Sequence, residues 1–275
     1  MTEPEGRRYG DLRVDVDAGV ATLTIDRPEA LNALRIQTFE ELERGLREAD
    51  SNPSVGVVVI AGSKESKAFC AGGDVRMATE LTTTAAIREH YFHRMQRLSW
   101  LVVNSGKPVI CAVGGPAIGG GAELSLFCDF VIASEDAYFS FNGTEIGGSC
   151  WWGAAQLLPV MVGLRAAEDI LYTSRRVGAP EAAKLGLISA AVPAASLDRA
   201  VSERCELLLE RSEEGIRLTK AALRATKEIL LATMATSAEQ AVAAHEGSDV
   251  IAAFDAFLAG GRIDWRARRG IVRAD

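Results

Sequence analysis

The stretch Pro108-Val-Ile-Cys-Ala-Val-Gly-Gly-Pro-Ala-Ile-Gly-Gly-Gly-Ala-Glu-Leu-Ser-Leu-Phe127 decides the fold. It opens with Val109 to Val113, a short apolar run rich in β-branched residues and bounded by Pro108 and Gly114, which predicts a buried strand. Five glycines in the eight residues 114–121 follow, and an apolar-periodic run beginning at Ala122 predicts a helix. The unit is therefore strand, glycine turn, helix. Glycine lets backbone approach a ligand closely, and a helix N-terminus offers unpaired N–H groups carrying partial positive charge. That pairing suits a phosphate, or an oxyanion that develops during a reaction.

Two nucleotide readings compete for this turn. Gly114 and Gly119 fit the outer glycines of a P-loop, but Gly120 and Gly121 stand where Lys and Ser/Thr are required. A dinucleotide fingerprint beginning at Gly114 needs glycine where Pro116 stands, although Glu135, ending the next apolar run, mimics its ribose ligand. Glu123 points elsewhere. It lies three residues after Gly120, on the same helical face, and a carboxylate beside free N–H groups suggests proton transfer next to a stabilised anion. The plainer alternative is a solvated glutamate in a first helical turn, where acids are favoured.

Working outward, Leu12–Val16 and Val20–Ile25 predict a hairpin around Asp17-Ala-Gly19. A loop from Asp26 to Leu34 leads into an amphipathic helix from about Ile36 to Ala49, and Val55–Ala61 predicts another strand. Lys67-Ala-Phe-Cys-Ala-Gly-Gly-Asp-Val75 is a second glycine turn ahead of helical sequence. Residues 84–105 read as helix, Phe130–Ala133 and Ala137–Phe141 as strands, and Asn142–Trp152 as irregular. Beyond Gly153 the chain reads as helix, interrupted only by a short strand within Leu187–Val192. This order predicts an α/β layer followed by a helical C-terminal part. Two glycine turns, each after a strand, can aim one N–H apiece at the same oxygen.

The 275 residues are long enough to bury a substantial core, and 48% hydrophobic with 24% charged residues is ordinary for a globular protein. A net charge of −7 argues against nucleic acid as the main partner. Cys70, Cys111, Cys128, Cys150 and Cys205 form no CxxC pair and read as reduced thiols. His90 and His93 lack cysteine partners, so no metal site is expected. The opening residues carry no apolar h-region and no run reaches the length of a membrane span, so the expected setting is cytoplasmic, without a membrane partner.

Taken together, Asp26-Arg-Pro-Glu-Ala-Leu-Asn-Ala-Leu34, Ala68-Phe-Cys-Ala-Gly-Gly-Asp74, Gly119-Gly-Gly-Ala-Glu-Leu124 and Ala182-Ala-Lys-Leu-Gly-Leu-Ile188 resemble the crotonase superfamily, the enoyl-CoA hydratase/isomerase proteins. The resemblance covers nearly the whole chain. It implies an α/β, crotonase-like spiral of ββα units over residues 1–200 and a helical trimerisation region over 201–275. It also implies an acyl-CoA thioester substrate, no cofactor beyond the CoA of that substrate, and a homotrimer or a dimer of trimers. Carried over by position, Gly73 and Gly120 supply the N–H groups for the thioester oxygen, and Glu123 takes the place of the first hydratase glutamate. Arg27, Leu31, Ala68, Ala71, Gly72, Asp74 and Val75 fall on segments that line the CoA site.

The sequence also departs from that pattern. Hydratases carry a second glutamate in a Phe-Gly-x-Pro-Glu segment, and here Phe139-Ser-Phe-Asn-Gly-Thr-Glu-Ile-Gly147 puts Gly143 at that position, with Glu145 two residues later. Isomerases and dehalogenases of the family place an aspartate near what are here Cys150 and Trp151. Gly143, Glu145, Trp151 and Trp152 are accordingly expected at the acyl pocket, against the alternative that the tryptophans are core or interface residues. The leading expectation is a lyase or isomerase with Glu123 as its single acid/base. A hydrolase cleaving a C–C bond of a cyclic or β-keto acyl-CoA, and an acyl-CoA-binding homologue without turnover, are the competing readings.

Overall fold

The computed structural model describes residues 6–271. In chain order its strands are β1 (Arg7–Arg8), β2 (Leu12–Asp17), β3 (Val20–Ile25), β4 (Val57–Gly62), β5 (Val109–Val113), β6 (Ala117–Ile118), β7 (Phe130–Ser134), β8 (Tyr138–Ser140), β9 (Arg176–Gly178) and β10 (Ala190–Val192). The helices are α1 (Ile36–Ser51), α2 (Val75–Glu80), α3 (Thr84–Arg88), α4 (Gln96–Asn104), α5 (Gly120–Phe127), α6 (Ala154–Val162), α7 (Leu164–Thr173), α8 (Ala179–Leu185), α9 (Leu197–Leu209), α10 (Glu213–Leu231), α11 (Met234–His245), α12 (Ser248–Leu258) and α13 (Trp265–Arg268).

One sheet runs β1-β2-β3-β4-β5-β7-β10, antiparallel through the predicted hairpin and parallel from β3 onward. Parallel strands need crossovers; the crossover helices α1, α4 and α5 pack on one face of the sheet, and α9, which follows β10, covers the other. This is why β4 and β5 read as unbroken apolar runs rather than alternating ones. Val58, Ile60, Val109 and Cys111 face one core, with Leu42 and Leu46 of α1, Leu98 and Val102 of α4, and Leu124 of α5. Val57, Val59, Ile110 and Ile132 face the other, where Val201 and Cys205 of α9 pack on them. Each wholly buried Val or Ile of this kind contributes about 1.5–3 kcal/mol through removal from water. The expected division between residues 200 and 201 falls inside α9, which belongs to the second of these cores.

A smaller sheet, β6-β8-β9, holds the chain that leaves β5. Neither β6 nor β9 is foreshadowed by periodicity, because strands of two and three residues are too short to show an alternation. The expected long helix over 84–105 is one helical run, but α3 and α4 are joined by a π-helical segment, Glu89–Met95. Among the described residues no helix is long and apolar enough to cross a membrane.

Candidate active site

The two glycine turns meet because the second sheet forces them together. Leaving β5, the chain makes β6 and then enters α5 at Gly120. The turn after β4 runs parallel to β6: Cys70 N–H donates to Pro116 O at 3.3 Å, and Ile118 N–H donates to Cys70 O at 2.9 Å. The contact is so close that a Cβ on Gly72 would stand 2.7 Å from Ile118 O and 3.3 Å from Gly120 N; Gly72 also has φ +94°, a region that side chains other than glycine resist. A Cβ on Gly120 would stand 3.7 Å from the Gly73 nitrogen, so the two predicted donors are neighbours. On the other side of the turn Leu34 N–H donates to Gly72 O at 2.7 Å, and Asp74 N–H donates to Leu34 O at 2.9 Å. Both neighbours of Gly73 are thereby fixed, while no acceptor among the described residues takes the N–H of Gly73 or Gly120.

Glu123 sits in the first turn of α5, its own N–H bonded to Gly119 O at 2.9 Å. Its side chain is not the solvated glutamate of the plainer alternative: the residue is 5% exposed. Oε1 accepts the backbone N–H of Trp152 at 3.0 Å, and Oε2 has no hydrogen-bond partner among the described residues. Burial pushes its carboxyl up to about 8, only partly offset by the Trp152 N–H. Cys150 lies beside it, buried, its Sγ accepting Gly143 N–H at 3.2 Å.

The acyl-pocket expectations divide. Trp152 reaches Glu123 through its backbone, not its ring. Its indole is 0% exposed, packed against Phe39 and Phe127 at centroid distances of 5.8 and 5.3 Å, with Nε1 donating to Met95 O at 2.9 Å. A large aromatic that finds a partner for its N–H is a core anchor, and the ring here is one. Trp151 is buried in the same core, and Gly143 is buried where a Cβ would stand 2.4 Å from the Ser149 carbonyl carbon. Glu145 is exposed and turned outward: its carboxylate pairs with Arg262 at 3.0 Å, and its backbone carbonyl accepts from Trp265 Nε1 at 3.0 Å.

The segments expected to line CoA are brought together. Asn32 Nδ2 donates to Ala68 O and Phe69 O, both at 3.1 Å, and Ala71 N–H donates to Leu31 O at 3.0 Å. Leu31, in the left-handed region, stays exposed, whereas Ala68 is buried and Ala71, Asp74 and Val75 are half-buried. Arg27 is turned inward, with Nη1 donating to Ala33 O at 2.6 Å and Nη2 to Asp74 Oδ2 at 3.1 Å. Asn32 and Leu34 are the members that the sequence reading missed. The signal for Asn32 was an asparagine in a tight loop, a residue that tolerates positive φ and bonds nearby backbone; nothing distinguished Leu34 from an ordinary core leucine. Two concavities lie away from Glu123: an open one of about 770 Å³ lined by residues 262–267, 270 and 271, and one of about 220 Å³ between Cys128 and Gly186. Neither is lined by Glu123, Gly73 or Gly120. Among the described residues no group of three or more His, Cys, Asp or Glu is placed to hold a metal ion.

Residues 15–268 match the model of the enoyl-CoA hydratase/isomerase family. The chain belongs to that family, within the crotonase superfamily. A probable enoyl-CoA hydratase of Mycobacterium tuberculosis is 34% identical over 215 residues, covering 78% of this chain and 81% of that one. A peroxisomal Δ3,5-Δ2,4-dienoyl-CoA isomerase of Arabidopsis thaliana is 32% identical over 240 residues, 83% of this chain and 86% of that one. A crystal structure of an enoyl-CoA hydratase/isomerase from Xanthobacter autotrophicus superposes with a TM-score of 0.83 at 27% identity, over 96% of this chain and 95% of that one. The mixed α/β architecture is thus the crotonase fold, with helices closing its C-terminal part.

Proposed function

We propose that this enoyl-CoA hydratase/isomerase family member shifts the carbon–carbon double bond of an enoyl-CoA thioester, with Glu123 carrying the proton in both halves of the reaction. Relatives named as a hydratase and as an isomerase are similar in sequence to most of this chain, so the choice falls to the residues around Glu123. The observation that carries the reading is the buried carboxyl of Glu123, with one oxygen tied to Trp152 N–H and the other without a partner among the described residues. A double-bond shift needs one group that takes a proton from one carbon and returns it to another two bonds away. Addition of water is served by two groups, and Glu145, the nearest counterpart of the second, is committed to Arg262.

Removing a proton alpha or vinylogous to a thioester places negative charge on its oxygen. In this reading the N–H groups of Gly73 and Gly120 receive that oxygen, a contribution of about 3–4 kcal/mol per donor in enzymes generally. Leu31, Ala68, Ala71, Gly72, Asp74 and Val75 line the CoA side of the same turn, and no further cofactor is needed for proton transfer. Exposed Leu218, Leu223 and Ile229 on α10 fit a surface that is covered in a homotrimer or a dimer of trimers.

The test is product analysis with 3-enoyl- and 2-enoyl-CoA in deuterated water, for wild type and Glu123→Gln. Interconversion of the two, with the hydrogen taken from C2 returned at C4 and little solvent deuterium taken up in a single turnover, is the expected result, and it should be lost in Glu123→Gln. A 3-hydroxyacyl product would establish hydration instead. Cleavage of a cyclic β-keto acyl-CoA, or binding without any turnover, would replace the reading with one of its competitors.

A further inference from the structure

Arg27 stands where a CoA-binding arginine is expected, yet at 8% exposure it is built into the protein interior. Its backbone N–H donates to Asn32 Oδ1 at 2.9 Å, Nη1 to Ala33 O at 2.6 Å and Nη2 to Asp74 Oδ2 at 3.1 Å, while Nε lies 3.6 Å from Asp11 Oδ2. Asp11 is itself buried and holds Arg35 by two hydrogen bonds, at 2.8 and 2.6 Å, and Thr38 by one at 2.6 Å. Burial opposes the ionisation of Asp11, but hydrogen bonds from Arg35 and Thr38 and the charge of Arg27 outweigh it and hold the carboxyl below its ordinary value. The network therefore clamps Ala33 and Arg35, the residues on either side of Leu34.

Leu34 is the residue whose N–H and C=O grip Gly72 and Asp74, on either side of Gly73. Asp74 completes the arrangement. Its Oδ1 accepts Arg76 N–H at 3.1 Å and Met77 N–H at 3.4 Å to start α2, which leaves Oδ2 for Arg27. Asp74 also puts a carboxylate one residue from the Gly73 N–H. An uncompensated negative charge there would repel any anion forming at that N–H, and in a partly buried setting the repulsion is poorly screened.

We infer that Arg27 is a positioning residue rather than a CoA ligand: through Ala33 and Asp74 it fixes the direction of the Gly73 N–H, and it cancels the carboxylate charge beside the oxygen which that N–H receives. This rests on the reading of Gly73 as an oxyanion donor. A guanidinium spent on Ala33 O, Asp74 and Asp11 serves the transition state, in which the charge exists, more than the ground state, in which it does not.

The experiment compares full-length Arg27→Met, Asp74→Asn and the double variant with wild type, measuring kcat and KM on 3-enoyl-CoA and calorimetric Kd for CoA. Arg27→Met is expected to lower kcat about 10–100-fold with Kd for CoA within about threefold of wild type. The double variant is expected to regain about tenfold of that loss, because the stranded carboxylate is gone. A raised Kd with kcat intact would overturn the inference and restore Arg27 as a ligand; equal kcat in Arg27→Met and the double variant would overturn it as well. Should Arg27→Met fail to fold, Arg27→Lys serves, since it keeps the charge but lacks the fork that bridges Ala33 O and Asp74: lowered kcat at unchanged Kd supports the inference and unchanged kcat overturns it. Glu123→Gln in the same assay isolates the parent reading. Normal turnover there removes the reading itself, whereas loss at Glu123 with Arg27→Met unaffected removes the inference alone.

Discussion

Glu123→Gln separates a desolvated proton carrier from a solvated helix-turn acid, and stability against pH shows the difference before any substrate is added. Burial raises the carboxyl from its ordinary 4.5 to about 8. Below pH 4.5 both folded and unfolded chains hold the proton, and the group costs nothing extra. Between 4.5 and about 8 the unfolded chain has lost a proton that the folded protein keeps, so stability falls as pH rises, by about 1.4 kcal/mol per pH unit. Above 8 the full penalty is present, at most about 5 kcal/mol over that window. The substituted glutamine cannot ionise, keeps the shape of the side chain and can still accept the Trp152 N–H. The two proteins should therefore nearly coincide in urea denaturation at about pH 5. By about pH 9 the variant should be more stable by about 4 kcal/mol, while its turnover drops roughly 10²–10⁴-fold. Equal stabilities across roughly pH 5–9 at one protein concentration would refute the desolvated site, and unimpaired turnover would refute the role of Glu123.

For the wild-type enzyme, kcat/KM on a 3-enoyl-CoA should climb with pH and level off above about 8, because Glu123 starts the reaction deprotonated; a flat profile from about pH 6 to 9 would count against it. Gly72→Ala meets Ile118 O at 2.7 Å with φ +94° and should lose about 1–3 kcal/mol in urea melts, whereas Gly73→Ala, with nothing within 4 Å of its Cβ, should fold like wild type. Lys227 donates to Phe127 O at 3.0 Å and Cys128 O at 3.3 Å, at the end of α5, so Lys227→Met should cost about 1–3 kcal/mol by stranding both carbonyls, read in the same melts. Light scattering should give a multiple of the 29.3 kDa chain mass, and a monomer at micromolar concentration would argue against the proposed trimer.

What could be read from the chain was whatever local chemistry determines. The hairpin at Asp17-Ala-Gly19, the apolar strands β4 and β5, and the two glycine turns each obey a rule that spans a few residues, and each is found within a residue or two of its expected place. Glu123 was legible for the same reason: its spacing from Gly120 is fixed by one helical turn. Residues whose role depends on direction were not legible. Trp152 and Arg27 look, in sequence, like a wall of the acyl pocket and a residue lining the CoA site. Both point inward because a partner distant in the chain receives them, Met95 O for the indole and Asp74 for the guanidinium. The same distance explains Glu145, which lies close enough in sequence to the missing second glutamate to invite that role, until Arg262, from the far end of the chain, takes its carboxylate. In the proposed reading one carboxyl, Glu123, serves where two are expected of a hydratase, and its Oε2 accepts no hydrogen bond among the described residues. The absence of a second acid at Gly143 and the burial of the first at Glu123 are thus one arrangement: with no neighbouring carboxylate, the raised proton affinity of Glu123 comes from dehydration alone, and it favours a group that keeps hold of the proton between removing and returning it.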